Sequence, residues 1–145
     1  MRIYLAGRYS RREELARYRD ILKLRGITVT SRWLNGDHKV DDTGSPTTDD
    51  GQVLGAEKLR TRFAREDIED VKSADSLILF TEEPRVQSAS RGGRHVEFGM
   101  ALAFGKALVA VGPRENLFTW LPEVVWLPSF DDYLDMLDGR HATWK

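Results

Sequence analysis

The sequence predicts a single-domain, three-layer α/β sandwich built on a parallel sheet of about five strands. Two observations support this fold class. Short apolar runs of strand length alternate along the chain with stretches whose apolar residues recur at helical spacing. The chain of 145 residues contains neither an internal repeat nor a linker-like stretch, so one domain spanning residues 1–145 is expected. Such alternation is typical of parallel strands with helices on both faces.

The first strand, the first helix and the second strand are each marked by local signals. An apolar run over residues 3–6 predicts the first strand. Ser10 and Glu13 have the spacing of a capping box, and Gly26 offers a C-terminal stop. Between them the apolar positions of the predicted helix are Leu15, Tyr18 and Leu22. The β-branched stretch 27–30 predicts the second strand.

A polar segment without periodicity runs from Asn35 to about Gly55. A long irregular segment inside a compact domain is typical of either a functional lid or an insertion. It contains two aspartate pairs, Asp41-Asp42 and Asp49-Asp50. A metal site is one interpretation of these pairs, and solvated loop carboxylates are the commoner one.

The rest of the chain continues the alternation of helices and strands. A second helix is predicted from apolar positions at Leu59, Phe63, Ala64, Ile68 and Val71. It is followed by a strand over 76–80, a helix opened by a glycine-rich turn, a strand over 107–111, an apolar turn over 117–122, a strand over 124–127 and a helix capped by Ser129. This order is that of a flavodoxin-like or Rossmann-like sandwich, in which ligands bind beyond the carboxyl ends of the strands. The segments 7–10, 82–93 and 112–116 follow strands and are expected to line that crevice.

Composition excludes several functional classes. Hydrophobic residues make up 41% of the chain and the formal charge is −1, which gives no support for binding a nucleic acid polymer. The absence of cysteine excludes disulfides, thiolate metal sites and thiol catalysis. The opening apolar run is too short for a signal peptide, and no run approaches the ~20 residues that span a membrane, so a cytoplasmic protein is expected. The histidines His38, His95 and His141 show no metal-ligand spacing, and neither a metal nor another cofactor is expected.

One glutamate lies beside the glycine-rich turn. Residues 90–93 predict a turn that opens a helix, and Glu97 is expected in the first turn of that helix. The partial positive charge at a helix N-terminus favours an ionised carboxylate. An ionised and oriented carboxylate can act as a nucleophile at a sugar carbon. An acidic helix cap beside a tight turn is the alternative interpretation.

Four separated motifs resemble those of one enzyme family. They are Ile3-Tyr4-Leu5-Ala6-Gly7, the segment 65–75, the segment 96–102 followed by Gly105-Lys106, and Asn116-Leu117-Phe118-Thr119-Trp120. In this order they resemble the nucleoside 2-deoxyribosyltransferase family, including its branch of 2′-deoxynucleoside 5′-monophosphate N-glycosidases. The resemblance implies an enzyme of nucleotide salvage that cleaves the N-glycosidic bond of a nucleoside or its 5′-monophosphate. The sugar would pass to an acceptor nucleobase in a transferase and to water in a hydrolase.

The resemblance also implies catalytic roles for three residues. Glu97 falls on the family's catalytic glutamate and would hold the sugar as a covalent glycosyl ester. Asp67 falls on the aspartate beside it and would position the substrate or exchange a proton with the base. A solvated aspartate on a helix is the alternative for Asp67. Tyr4 would contact the active site and orient Glu97 through its hydroxyl, or it would simply pack in the core.

The predicted substrate-binding residues lie in the turns that follow strands. They are Gly7, Arg8, Ser10, Ser90, Arg91, Gly93, Arg94 and Asn116. Arg91 stands where the transferases have an aspartate, and together with Arg94 and Arg8 it would suit an anionic 5′-phosphate. A solvated arginine face is the alternative, and the Gly-Gly that follows the first strand in the monophosphate branch is absent here.

The late motif implies a homodimer or a higher homo-oligomer. Asn116 matches a residue that the transferases lend to the site of a neighbouring subunit. The apolar run 117–122 follows it directly and is expected at the interface between subunits. The alternative is that Phe118 and Trp120 cover the core of their own domain.

Two other functions remain open from the sequence. A phosphoribohydrolase of the cytokinin-activating type also places a Gly-Gly turn before a glutamate-bearing helix, but its Gly-Thr and its second glutamate are missing around residues 94–98. A non-catalytic nucleotide-binding module would keep the crevice and would not need Glu97. The base, the choice between ribose and deoxyribose, and the acceptor are not determined by the sequence.

Overall fold

Five parallel strands form the centre of the computed structural model, which describes residues 1–36, 38, 57–84 and 92–140. The strands are β1 (Arg2–Ala6), β2 (Thr28–Val29), β3 (Ser76–Phe80), β4 (Ala107–Val111) and β5 (Val124–Leu127), in the spatial order β2-β1-β3-β4-β5. All neighbouring pairs are parallel. The strand order reverses between β1 and β3, which is the place where open α/β sheets bind ligands. The predicted α/β fold class is confirmed.

In the described residues, four helices cover the two faces of the sheet. They are α1 (Arg12–Leu24), α2 (Glu57–Ser73), α3 (Gly93–Ala103) and α4 (Phe130–Leu137). Helices α1 and α4 meet where the ring of Tyr18 stacks on Phe130 at 4.0 Å and on Phe80 of β3 at 5.5 Å. Helices α2 and α3 contact each other, and Glu97 of α3 bonds to Tyr4 of β1. Tyr4 pairs in register with Leu77, whose side chain points to the face opposite Phe80, so α2 and α3 cover that second face.

The middle of the sheet forms the core of the domain. Every residue of β3 is buried, because helices cover both of its faces and β1 and β4 flank it. This explains why β3 reads as a continuous apolar run rather than as an alternating one. Strand β3 therefore lies buried next to the switch point.

Two details at the amino-terminal half differ from the prediction. Ser10 does not cap α1, because residues Tyr9–Arg11 form a 3₁₀ helix and Arg11 stands at the N-cap without a side-chain cap bond. Strand β2 is only two residues long instead of the predicted 27–30. The hydroxyl of Ser31 accepts a hydrogen bond from the Leu5 backbone nitrogen at 2.7 Å. A side chain therefore bonds to β1 where a longer β2 would have supplied a backbone carbonyl.

Other local predictions are confirmed. Gly26 ends α1 with a φ of +78°, a conformation that favours glycine. Ser129 caps α4 by accepting a hydrogen bond from the Asp132 backbone nitrogen at 3.2 Å. The aspartate pairs at 41–42 and 49–50 lie outside the described residues, as does most of the irregular segment. In the part of the chain that is described, no helix is long and apolar enough to cross a membrane.

Candidate active site

Glu97 lies one turn further into its helix than the sequence predicts. Helix α3 begins at Gly93. The residue before it, Gly92, has a φ of +82° and is therefore in the left-handed conformation. Glu97 is therefore in the second turn, and no acidic residue lies in the first turn of α3. Stabilisation by the helix dipole falls off within the first turn. The prediction that the helix start ionises Glu97 is wrong.

Tyr4 and Glu97 link the sheet to this helix. The Tyr4 side chain is fully buried in the middle of β1, and its hydroxyl donates a hydrogen bond of 2.6 Å to Oε2 of Glu97. The distance is typical of a strong bond from a hydroxyl to a carboxyl oxygen. Tyr4 is thus both a core residue and a partner of Glu97, which combines the two interpretations left open by the sequence.

Asp67 of α2 places a second carboxyl group next to Glu97. Burial raises the pKa of Asp67 to about 6 from its usual value of 3.8. Burial also raises the pKa of Glu97 well above its usual range, and the negative charge of Asp67 raises it further. The hydrogen bond from Tyr4 opposes this increase but does not outweigh it. Two like charges in a partly buried site resist ionising together, so near neutral pH the pair retains one proton.

His38 lies on the outer side of Asp67 and was not selected from the sequence. Its side chain is buried, its Nε2 lies 2.6 Å from Oε2 of Glu66, and its Nδ1 lies 3.6 Å from Oδ1 of Asp67. The ring also stacks on Phe63 at a centroid distance of 4.2 Å. No spacing in the sequence signals this contact, because His38 and Glu66 are 28 residues apart.

Arg8 and Arg94, the predicted binding arginines that the structure describes, are paired with carboxylates. One oxygen of Glu82 lies 3.2 Å from Arg8, and the other lies 2.6 Å from Arg11. The buried side chain of Arg94 forms an ion pair of 2.5 Å with Glu115. Glu115 also accepts a hydrogen bond from the backbone nitrogen of Glu82 at 3.2 Å, so the loops after β3 and β4 are joined. The predicted solvated arginine face therefore does not describe Arg94.

The remaining predicted binding residues surround this network. Gly7 ends β1 so closely against α1 that a Cβ atom there would lie 2.8 Å from Cδ2 of Leu15. Gly93 is the first residue of α3, and Ser10 lies in the 3₁₀ helix before α1. Asn116 accepts a hydrogen bond from the Phe118 backbone nitrogen at 3.0 Å. Ser90 and Arg91 lie outside the described residues, and a binding role for all of these residues remains a prediction.

The apolar segment after Asn116 is exposed. It forms a 3₁₀ helix, Leu117–Trp120, in which Leu117 is 74% exposed, Phe118 52% and Trp120 64%. The guanidinium of Arg114 lies 4.0 Å from the ring centroid of Trp120. The alternative in which Phe118 and Trp120 cover the core of their own domain does not agree with these exposures.

Metal ligands are not gathered at this site. Within residues 1–36, 38, 57–84 and 92–140, no group of three or more histidine and carboxylate side chains is arranged to hold a metal ion. The chemistry that the described site offers is therefore that of two carboxyl groups, a phenol and an imidazole.

Three solved structures are similar to this chain over nearly its whole length. A 2-deoxyribosyltransferase from Bacillus psychrosaccharolyticus has 19% sequence identity and a TM-score of 0.66, with 92% of this chain and 90% of the other covered. The CMP N-glycosidase BcmB of Clostridium botulinum has 20% identity and a TM-score of 0.56, with 95% and 98% covered. A conserved protein from Enterococcus faecalis V583 has 18% identity and a TM-score of 0.57, with 97% and 98% covered.

No family model matches the sequence, and no curated protein matches it either. Two of the three similar structures are named for deoxyribosyl transfer and for N-glycosidic cleavage, the two activities that the sequence motifs imply. At these low identities a structural likeness establishes a common fold. The chain therefore has the fold of these enzymes.

Proposed function

We propose that this protein cleaves the N-glycosidic bond of a nucleoside or its 5′-monophosphate and passes the sugar to a second base or to water. The observation that carries the proposal is the 2.6 Å bond from Tyr4 to Glu97, with Asp67 adjacent, beside the switch point of the sheet. The names of two solved structures with the same fold support the choice of reaction.

The first step forms a bond between Glu97 and the sugar. An ionised Glu97 attacks C1′, the bond from C1′ to the base nitrogen breaks, and its electron pair leaves with the base. The proton shared by the pair then resides on Asp67 and is transferred to the departing base. Because Glu97 loses its charge as the ester forms, it no longer raises the energy of an ionised Asp67. The proton therefore becomes easier to release as the base leaves.

The second step reverses these roles. An acceptor, either the N–H of a base or a water molecule, attacks C1′ of the ester, and Glu97 leaves as a carboxylate. Asp67 takes the proton of the acceptor, which restores a pair with one proton. This division of labour between two carboxyl groups is that of retaining glycosidases. Tyr4 keeps the Glu97 carboxyl oriented in both steps.

The 5′ end of the substrate is expected to lie near Arg94, one helical turn before Glu97. We propose that a 5′-phosphate binds there by replacing the carboxylate of Glu115, which neutralises Arg94 in this structure. A charge-assisted contact of this kind is worth about 1.5–3 kcal/mol. The ion pair with Glu115 reduces the net gain, so nucleosides without a phosphate are also expected to bind.

We further propose that the active form is a homo-oligomer. The exposed side chains of Leu117, Phe118 and Trp120 support an interface next to Asn116. Large apolar side chains grouped on a surface are typical of such contacts. In the oligomer, Asn116 would reach the site of a neighbouring subunit.

Chromatography of a panel of nucleosides and 5′-monophosphates, incubated with and without a free acceptor base, tests the proposal. Released base alone identifies a hydrolase, and a new nucleoside identifies a transferase. Glu97→Gln should abolish both, whereas Glu69→Gln on an exposed position of α2 should abolish neither. Binding of nucleotides without cleavage of any of them would contradict the proposal and would favour a non-catalytic binding module.

A further inference from the structure

His38 joins the proposed acid–base group to an outer carboxylate of α2. Phe63, Glu66 and Asp67 lie three and four residues apart on this helix and therefore share one face. The imidazole of His38 lies against that face, stacked on Phe63, with Nε2 toward Glu66 and Nδ1 toward Asp67. Each ring nitrogen thus faces a different carboxyl group.

The contact with Glu66 determines which ring nitrogen carries a hydrogen. The hydrogen bond from His38 lowers the pKa of Glu66, and Arg62 and Arg32 contribute from 3.4 Å and 3.9 Å. An ionised carboxylate only accepts hydrogen bonds, so Nε2 carries a hydrogen. Nδ1 is then the nitrogen that can gain or lose a proton, and it is the one that faces Asp67.

One oxygen of the Asp67 carboxyl group faces His38. This Oδ1 atom is buried and has no hydrogen-bond partner among the described residues. Nδ1 of His38 lies 3.6 Å from this atom. This distance is longer than a hydrogen bond, so a small turn of the carboxyl group is needed to close it.

We propose that His38 is a positioning residue that holds the Asp67 carboxyl and exchanges a proton with it between Nδ1 and Oδ1. The inference rests on the proposed function. After Asp67 has given its proton to the departing base, Nδ1–H of the imidazolium donates a proton to Oδ1 and the ring becomes neutral. When Asp67 later takes the proton of the acceptor, Oδ1 returns one proton to Nδ1. One proton leaves and one returns, so no other reactant is needed.

The charged and titratable groups around Asp67 come from every element packed against it. They are His38 from the turn after β2, Glu66 and Asp70 from α2, Glu97 from α3 and Tyr4 from β1. The positive charge of His38 lowers the pKa of Asp67, whereas Asp70 and Glu66 raise it. Loss of the imidazole should therefore move the titration of Asp67 to higher pH.

Two substitutions separate proton exchange from packing. His38→Phe keeps a ring on Phe63 and removes both nitrogens, and His38→Asn keeps a polar group near Asp67 that cannot exchange a proton. In both variants kcat for base release should fall at least about tenfold, a part of the ~10²–10⁴-fold that acid–base catalysis supplies, with KM nearly unchanged. Glu69→Gln is the control. A kcat for His38→Asn equal to that of the unmutated protein would overturn the proton exchange.

A second measurement does not depend on activity. The pH dependence of the free energy of unfolding reports the titration of Asp67 in the folded protein. In His38→Phe and His38→Asn, the pH range over which stability is lost should extend upward by comparison with the unmutated protein. An unchanged range overturns the inference. If the range moves while the unmutated protein cleaves no nucleoside or nucleotide, the proposed function fails and the coupling between His38 and Asp67 stands.

Discussion

Replacing Asp67 by asparagine should remove a pH-dependent loss of folding stability. Burial raises the pKa of Asp67 to about 6 in the folded protein, compared with 3.8 for a free side chain. A group with a raised pKa binds its proton more tightly when folded, so its contribution to stability is complete below the unfolded value. That contribution is lost as the pH rises from about 4 to about 6. Asparagine has no proton to lose and is free of this effect.

The size of the effect follows from the two pKa values. At about 1.36 kcal/mol for each pKa unit, the difference between 3.8 and about 6 amounts to about 3 kcal/mol of unfolding free energy. The Asp67 side chain is 25% exposed, so solvent screening makes this value an upper bound. The stability of Asp67→Asn minus that of the unmutated protein should therefore increase by up to about 3 kcal/mol between about pH 4 and pH 7.

Urea unfolding followed by tryptophan fluorescence across this pH range measures the difference. The control Glu69→Gln, on an exposed position of the same helix, should give a difference that does not change with pH. Glu97→Gln should also give a difference that increases with pH, because burial and the charge of Asp67 raise the pKa of Glu97. A constant difference between Asp67→Asn and the unmutated protein would refute the argument that Asp67 is buried beside a second acid.

Four further outcomes are expected. Glu97→Gln should lower base release by orders of magnitude, and acid quenching followed by intact mass measurement should detect a sugar ester on the unmutated chain only. Tyr4→Phe removes a bond that lowers the pKa of Glu97, so the pH–rate profile should move to higher pH; a profile that stays in place would contradict this. Glu115→Gln should raise the preference for a 5′-monophosphate over its nucleoside about tenfold or more, because it removes the charge that neutralises Arg94, and equal preferences would contradict the phosphate site. Mixing inactive Glu97→Ala chains with inactive Asn116→Ala chains should restore activity if sites are shared, whereas light scattering that finds an active monomer would exclude sharing.

The sheet could be predicted closely from the sequence because its strands are short apolar runs with polar or glycine residues at their ends. Strands β3, β4 and β5 have the bounds that the sequence predicts. Strand β2 was predicted too long because the β-branched run 27–30 gives no sign that the hydroxyl of Ser31 bonds to β1. A side chain that replaces a backbone hydrogen bond of the sheet does so only in the packed structure. Such a contact leaves no local pattern in the sequence.

The candidate site was predicted in part. The resemblance indicated Tyr4, Asp67 and Glu97, and the structure brings these three together. Glu97 was predicted in the first turn of α3, but the helix begins at Gly93 after the left-handed Gly92, which places Glu97 in the second turn. The ionisation of Glu97 was predicted with the wrong sign because burial and a neighbouring carboxyl group are properties of the fold.

The carboxylate partners of the arginines and of His38 could not be predicted. Glu82 meets Arg8 across 74 residues of chain, and Glu115 meets Arg94 across 21. No periodicity or motif spacing carries such contacts, because they arise from the order in which the strands assemble. Asp70 was not selected either. Its carboxylate accepts hydrogen bonds from the backbone nitrogen and the Nε of Arg32, which ties α2 to the segment after β2.

The free-energy cost of ionising Glu97 and Asp67 side by side bears on the proposed reaction. In the absence of substrate, Glu97 and Asp67 oppose each other's ionisation in a site that is partly shielded from water. In the proposed reaction, a sugar that becomes positively charged at C1′ would be attracted by the one negative charge of the pair, whereas the uncharged ground-state sugar would not. Stabilisation present only in the transition state is what accelerates a reaction. Because Tyr4 is fully buried in β1 and bonded to Glu97, the Glu97 carboxyl group cannot move away from this position without breaking that bond. The fold therefore keeps the charge of the pair at a fixed place, where it would stabilise the cationic sugar of the proposed transition state.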